Sequence, residues 1–123
     1  MKVLHLPLKK EWYNMIESGV KTEEYREIKP YWAKRLCPCM KECANGHWSE
    51  PHRCIHHCKA VYSHMNFIHK GRRIANFTHV RFSYGYTKRT MTFEIKEIVI
   101  GKGNPEWGAP KEDVFIIKLG GRL

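Results

Sequence analysis

Three groups of residues in this chain have types and spacings that could do chemistry. The first is Gly19-Val20-Lys21-Thr22-Glu23-Glu24-Tyr25-Arg26. Glu24 and Arg26 are two apart, so on an extended strand they share a face. Lys21 has the opposite parity if the strand already includes it. It can converge with Glu24 only from a turn ahead of the strand, since three extended residues span ~10 Å. A convergent Lys-Glu-Arg set could bind phosphate through Arg26 and Lys21. It could also tune a proton-transferring pair. The plainer alternative is a solvated strand with cross-strand salt bridges. On the residues alone that alternative is preferred, because surface ion pairs are common and weak.

The second group is the window 37–58, which holds all five Cys and four of the eight His but almost no aliphatic residues. Cys39-x3-Cys43 and Cys54-x3-Cys58 are separated by ten residues. Paired thiolates at short spacing, bridged by a loop, suit tetrahedral zinc. Cys37, His47, His52, His56 and His57 are alternative ligands. A window so poor in aliphatic groups cannot bury much surface, and metal ligation would supply the folding free energy instead. A loop of reduced thiols without metal, or a catalytic Cys-His pair, are the other readings.

The third group is basic and aromatic. Lys70, Arg72 and Arg73 form a cluster, and Arg81-Phe82-Ser83-Tyr84-Gly85-Tyr86-Thr87-Lys88-Arg89 interleaves cations with rings. Single-stranded RNA is held in this way, with rings on bases and cations on phosphates. Phe82, Tyr84 and Tyr86 also share the parity of a core face, so a barrel strand explains them as well. Phe77 and Phe82 are read as core. Trp107, between Pro105 and Gly108, is either a lid at a cleft mouth or a packed loop anchor.

The elements that must position these groups follow from periodicity. Val3–Leu8 reads as a strand, with Pro7 marking an edge or an end. Glu11–Ser18 reads as a helix with Trp12, Met15 and Ile16 on one face, stopped by Gly19. Lys21–Ile28 reads as a charged strand, and Tyr31–Leu36 as a short helix with Pro30 in its first turn. Phe77–Tyr86 and Arg89–Ile100 read as two strands around a turn. In the second, Met91, Phe93 and Ile95, then Ile98 and Ile100, mark a half-buried face with a phase change near Glu97. Residues 101–110 read as a Gly/Pro loop, Val114–Leu119 as the last strand, and GGRL as a tail. The order implies an α+β domain on a small mixed or antiparallel barrel.

The chain has 123 residues, enough for one domain (1–123), with 37–58 as an insertion within it. Twenty-two Lys and Arg against 12 Asp and Glu give +10, which favours polyanionic partners. The apolar stretches fall far below the ~20 residues of a membrane helix, so no membrane partner is expected. The odd Cys count and the lack of a leader pattern point to a reducing cytoplasm.

The segment from Gly19 to Arg26 resembles the GxKxxExR signature of the ASCH domain family, within the PUA-like superfamily. All four signature positions match: Gly19, Lys21, Glu24 and Arg26. The preceding LPLKKEWYNMIESG is similar to that family's strand and helix lead-in, and the later strands and NPEWGAP loop are compatible with its barrel. The resemblance covers most of the chain outside 37–58. It implies a PUA-like β-barrel with short flanking helices and a cleft lined by the signature residues, recognising RNA or a modified nucleotide. One branch resembles small amidohydrolases that remove an acyl group from N4 of modified cytidine with Lys, Thr and Glu. Other relatives have been described as ribonucleases. Lys21 matches the amidohydrolase Lys, whereas Glu24 stands where that branch has Thr, and Thr22 is not that position. Glu94 and Glu106 are the candidates for its separate Glu.

In a hydrolase, a partly desolvated Lys21 would act as base, Glu24 would shuttle the proton or orient Lys21, and Arg26 would stabilise an oxyanion or hold a phosphate. In a binder, the same residues would hold a base edge and a phosphate. The leading expectation is recognition of RNA or a modified nucleotide through a basic cleft. That cleft is formed by Lys21, Arg26, Arg72, Arg73, Arg81, Tyr84, Tyr86, Lys88 and Arg89. The runner-up is a hydrolase acting on a nucleoside derivative such as an N4-acylcytidine. The third class is a protein-interaction module using the insertion. Zinc on Cys39, Cys43, Cys54 and Cys58 is the one cofactor expected.

Overall fold

The computed structural model describes residues 2–36, 68–69, 72–73 and 77–123. β1 (Val3–Leu8) occupies the span its alternation predicts, with Leu4, Leu6 and Leu8 buried. It pairs in parallel with β5 (His79–Tyr84) on one side and, among the described residues, has no strand on the other. The carbonyls of Lys2 and Leu8 accept from the β5 side, from Thr78 and Gly85. Backbone groups alternate in direction along a strand, so residues 3, 5 and 7 address the open edge. Pro7, with no N–H to give, sits where no ladder bond needs one.

α1 (Lys10–Glu17) starts and stops one residue ahead of the expected span. Tyr13 and Ile16 are its buried residues, and Trp12 and Met15 flank them half-buried. The inner face is therefore centred nearer Tyr13 than the set Trp12, Met15 and Ile16 implies. The reason is a long-range contact: the Tyr13 ring meets Tyr84 edge-on, with centroids 5.1 Å apart. Gly19 ends the helix at φ +86°, a conformation a side chain would strain. Its N–H donates to Ile16, and the N–H of Lys21 donates to Met15, closing the last turn.

β2 (Glu23–Arg26) is shorter at both ends than expected, which leaves Lys21 in the turn ahead of it. α2 (Pro30–Leu36) opens on Pro30, whose fixed φ suits a first helical position. β3 (Ile68–His69) and β4 (Arg72–Arg73) form a separate antiparallel pair that composition did not announce. β6 (Thr90–Gly101) follows β5 through a turn at 85–88, and β7 (Val114–Arg122) completes the set.

β1, β5, β6, β7 and β2 lie side by side in that order, antiparallel except for the β1–β5 pair. The mixed sheet curls into a half-barrel. Register shifts between Phe93 and Ile95 and between Ile95 and Glu97 coincide with the phase change in the apolar pattern. Such bulges bend and twist a strand, which is how a long β6 wraps a core. That core holds Leu4, Leu6, Tyr13, Phe82, Ile98, Phe115 and Ile117 among others. A smaller apolar cluster of Tyr25, Val114 and Ile116, with Trp107 and Ala109 against it, covers the other face of β7 and β2.

The expected tail is instead part of β7, which runs through Gly120 and Gly121 to Arg122. The 12-residue β6 needs a partner along its first half, and Gly120 passes close to Glu94, where an added Cβ would lie 3.4 Å from the Glu94 Cβ. The insertion 37–58 lies outside the described residues. No helix among the described residues is long and apolar enough to cross a membrane.

Candidate functional site

Lys21, Glu24 and Arg26 converge. The Lys21 ammonium donates to Glu24 Oε1 at 2.8 Å, and Arg26 Nη1 donates to Glu24 Oε2 at 2.8 Å. The parity argument explains how. Glu24 and Arg26 point to one face of β2, opposite Ile117 and Phe115 of β7, while Lys21 reaches Glu24 from the turn. Lys21 is 2% exposed and Glu24 is buried too. The Lys21 ammonium also lies 4.7 Å from the centre of the Trp12 ring and 5.6 Å from that of Tyr25. Two rings and a carboxylate thus replace the water that the charge has lost.

The loop after β6 closes this arrangement. Lys21 Nζ donates to the Trp107 carbonyl at 2.8 Å. Residues 105–107 form a single 3-10 turn, capped by the Asn104 side chain, which accepts from the Glu106 N–H at 2.9 Å. The Asn104 N–H donates to Tyr25 Oη at 2.9 Å, and Tyr25 Oη donates to Glu23 Oε1 at 2.6 Å. Burial first, and then the bond to the Glu23 carboxylate, push the Tyr25 phenol well above the usual range, only partly opposed by the Asn104 N–H. The loop can lie this close because residue 103 is glycine: a Cβ there would stand 2.6 Å from both the Tyr25 ring and the Ala109 Cβ.

Arg26 is the member that reaches the surface, its side chain 18% exposed. Its Nη1 also donates to the Tyr25 carbonyl at 2.7 Å, and its Cζ lies 5.5 Å from the centre of the Trp32 ring. Among the described residues, all its side-chain hydrogen bonds run through that one nitrogen. The rest of the guanidinium fork is left to take a phosphate or a carbonyl oxygen. The network carries two cations and one carboxylate, so it presents a net positive charge beside an aromatic ring.

The other predicted residues are distributed. Phe82 is fully buried and Phe77 packs on the same core. The interleaved stretch does not present one surface. Arg81 faces away from the core and donates to Thr92 Oγ1 at 3.0 Å. Tyr84 packs inward on Tyr13, and Tyr86 leaves the strand in the turn with 97% of its surface exposed. Strand parity ends at Tyr84, which is why the shared spacing of Phe82, Tyr84 and Tyr86 does not persist. Lys88 and Arg89 are exposed beside Tyr86, and Arg89 donates to Glu17 Oε1 at 2.7 Å, a contact that raises its pKa.

Trp107 packs on the Tyr25 cluster, and its carbonyl, not its ring, meets Lys21. Glu106 is exposed in the same turn, whereas Glu94 stands on β6 opposite His79, two strands from β2. Arg72 and Arg73 lie on β4 of the separate pair, outside the five-stranded sheet. Lys70, Cys39, Cys43, Cys54 and Cys58 lie outside the described residues, among which no group of three or more His, Cys, Asp or Glu is placed to hold a metal ion. Sequence reasoning missed Trp12 and Tyr25 as the walls around Lys21. The available signal was Tyr25 itself, an aromatic residue between two charged ones in a strand.

Comparison of the chain with protein-family models, with curated proteins and with solved structures gives no match.

Proposed function

We propose that the chain is an ASCH-like domain, with a PUA-like barrel, that recognises RNA or a modified nucleotide in the cytoplasm. The observation that carries this reading is the sealed Lys21–Glu24–Arg26 network, whose surface member is a guanidinium beside Trp32 with N–H groups that no described residue engages. The signature resemblance at Gly19, Lys21, Glu24 and Arg26 and the net charge of +10 support it. Arg26 would take a phosphate, and Trp32 a base or ring edge. Lys21 and Glu24 would hold Arg26 in place from behind.

A thermal-shift screen of nucleoside monophosphates, modified nucleosides and short RNAs tests it. A ligand at a hundredfold excess over its dissociation constant adds about 2.7 kcal/mol of stability. The expected result is a rise in Tm with at least one ligand class, removed by Arg26→Ala. No shift across the panel overturns the reading.

One observation favours the hydrolase reading as a second. Lys21 Nζ and Glu24 Oε1 are 2.8 Å apart, the contact a proton relay requires. Against it, the ammonium is closed off by the Trp107 carbonyl, so substrate would have to displace the loop. Release of acid from N4-acylcytidines by the wild type, lost in Lys21→Ala, would establish it. No turnover across such a panel rejects it. Zinc at Cys39, Cys43, Cys54 and Cys58 is a proposal from spacing. Metal analysis of protein purified without a His-tag should find about one zinc per chain, and a small fraction of that removes it.

A further inference from the structure

We propose that the tip of the β5–β6 hairpin is a second nucleic-acid contact. An unpaired base stacks on Tyr86, and neighbouring phosphates lie on Lys88, Arg89 and Lys10. The ligand is then a single-stranded polynucleotide and not a lone nucleotide. The inference takes the chemical class of ligand from the Arg26 reading above, on which it rests, and adds a site that the signature residues do not include.

The Tyr86 ring is 97% exposed, and among the described residues no ring, cation or hydrogen bond engages it. Three hydrogen bonds fix the residues on either side of Tyr86. The Gly85 N–H donates to the Leu8 carbonyl at 2.8 Å, and the Tyr84 N–H donates to the Arg89 carbonyl at 2.9 Å. Thr87 Oγ1 donates to the Tyr84 carbonyl at 2.6 Å. A bare ring on a fixed backbone loses little freedom on stacking, which is what a base platform requires.

The hairpin is cationic around Tyr84, two residues before Tyr86. Arg89 Cζ lies 4.9 Å from the centre of the Tyr84 ring and Lys10 Nζ 5.4 Å from it. Lys88 is exposed next to Arg89, and Glu17 is the carboxylate that meets this group. Glu17 is also the last residue of α1, and Lys21 follows four residues later. Four residues reach at most ~14 Å. The C-terminal end of α1 therefore ties Arg89 at the hairpin to the Lys21 end of the network, and Arg26 stands five residues further along the chain. A duplex keeps its bases stacked on one another and offers none to a single ring.

The test titrates the full chain with a single-stranded oligouridylate of about twelve nucleotides, a duplex of the same length, and uridine monophosphate. The wild type should prefer the single strand. Tyr86→Ala should weaken that binding roughly tenfold, Tyr86→Phe should preserve it, and neither should alter the response to the monophosphate. Wild-type affinity of Tyr86→Ala for the oligouridylate, equal affinity for the duplex, or no oligonucleotide binding each overturns the hairpin site. A monophosphate response that persists in any of these cases, and is lost in Arg26→Ala, leaves the Arg26 reading standing. Its absence, together with no shift across the ligand panel above, removes both.

Discussion

Glu24 is buried and accepts from two cations, so its removal should be costlier than its surface counterparts. Glu24→Ala leaves the Lys21 ammonium buried and unpaired, and should lower unfolding stability by about 3–5 kcal/mol in urea titrations. The double variant Lys21→Met/Glu24→Leu should recover most of that loss, since a buried ion pair is replaced well by apolar residues of similar volume. If Glu24→Ala costs no more than an exposed pair such as Lys29–Glu27, the network is not what holds the turn to β2. Tyr25 gives a pH signature. Its folded-state pKa is raised, so the folded form holds its proton more tightly than the unfolded form. The associated stability is complete below about pH 10 and declines as pH rises beyond it. Tm measured from neutral to alkaline pH should fall more gently in Tyr25→Phe than in the wild type. At this scale part was legible: the two-residue spacing of Glu24 and Arg26 foretold a shared face, and convergence was tied to Lys21 lying in a turn. The residue pattern nonetheless starts the strand at Lys21 and favours a solvated, ion-paired strand, neither of which holds. The Trp107 carbonyl was not legible, because a backbone oxygen leaves no trace in a side-chain pattern.

Among the elements, β1 and the β6 bulge were readable because apolar alternation reports which face is buried, and a jump in its parity is the bulge itself. The end of the last strand was not, because Gly120 and Gly121 carry no hydrophobic signal and are held between Leu119 and Arg122, which pair with β6. The centre of α1 was displaced for a similar reason: helical spacing cannot reveal that Tyr84 waits opposite Tyr13. The loop from Lys102 to Ala109 is the element that seals the Lys21 ammonium. Gly103→Ala would drive a methyl group into Tyr25 and Ala109. It should cost about 1–3 kcal/mol, and amide exchange should quicken at Asn104 and Trp107 while the protection of β7 holds. Unchanged exchange at those two amides would mean that the close approach to Tyr25 is dispensable.

For the whole molecule, a charge of +10 makes association with any polyanion depend on salt. The logarithm of oligouridylate affinity should fall linearly with that of salt concentration. Lys88→Ala and Arg89→Ala should each reduce the slope by about 0.7. A slope identical to that of the wild type would take those two cations off the phosphate path. The sheet order could not be read from the strands one by one, because β2 joins β7 across nearly the whole chain and nothing local records that pairing. Pro7 carries a last consequence. A foreign strand approaching the side of β1 on which the described residues place no strand would look for N–H groups at positions 3, 5 and 7, and the third has none. That gap blunts the template on which copies of the chain could polymerise. Pro7→Val should restore it, and light scattering should then grow with concentration where the parent protein's does not; equal scattering by the two would show that something else guards that flank.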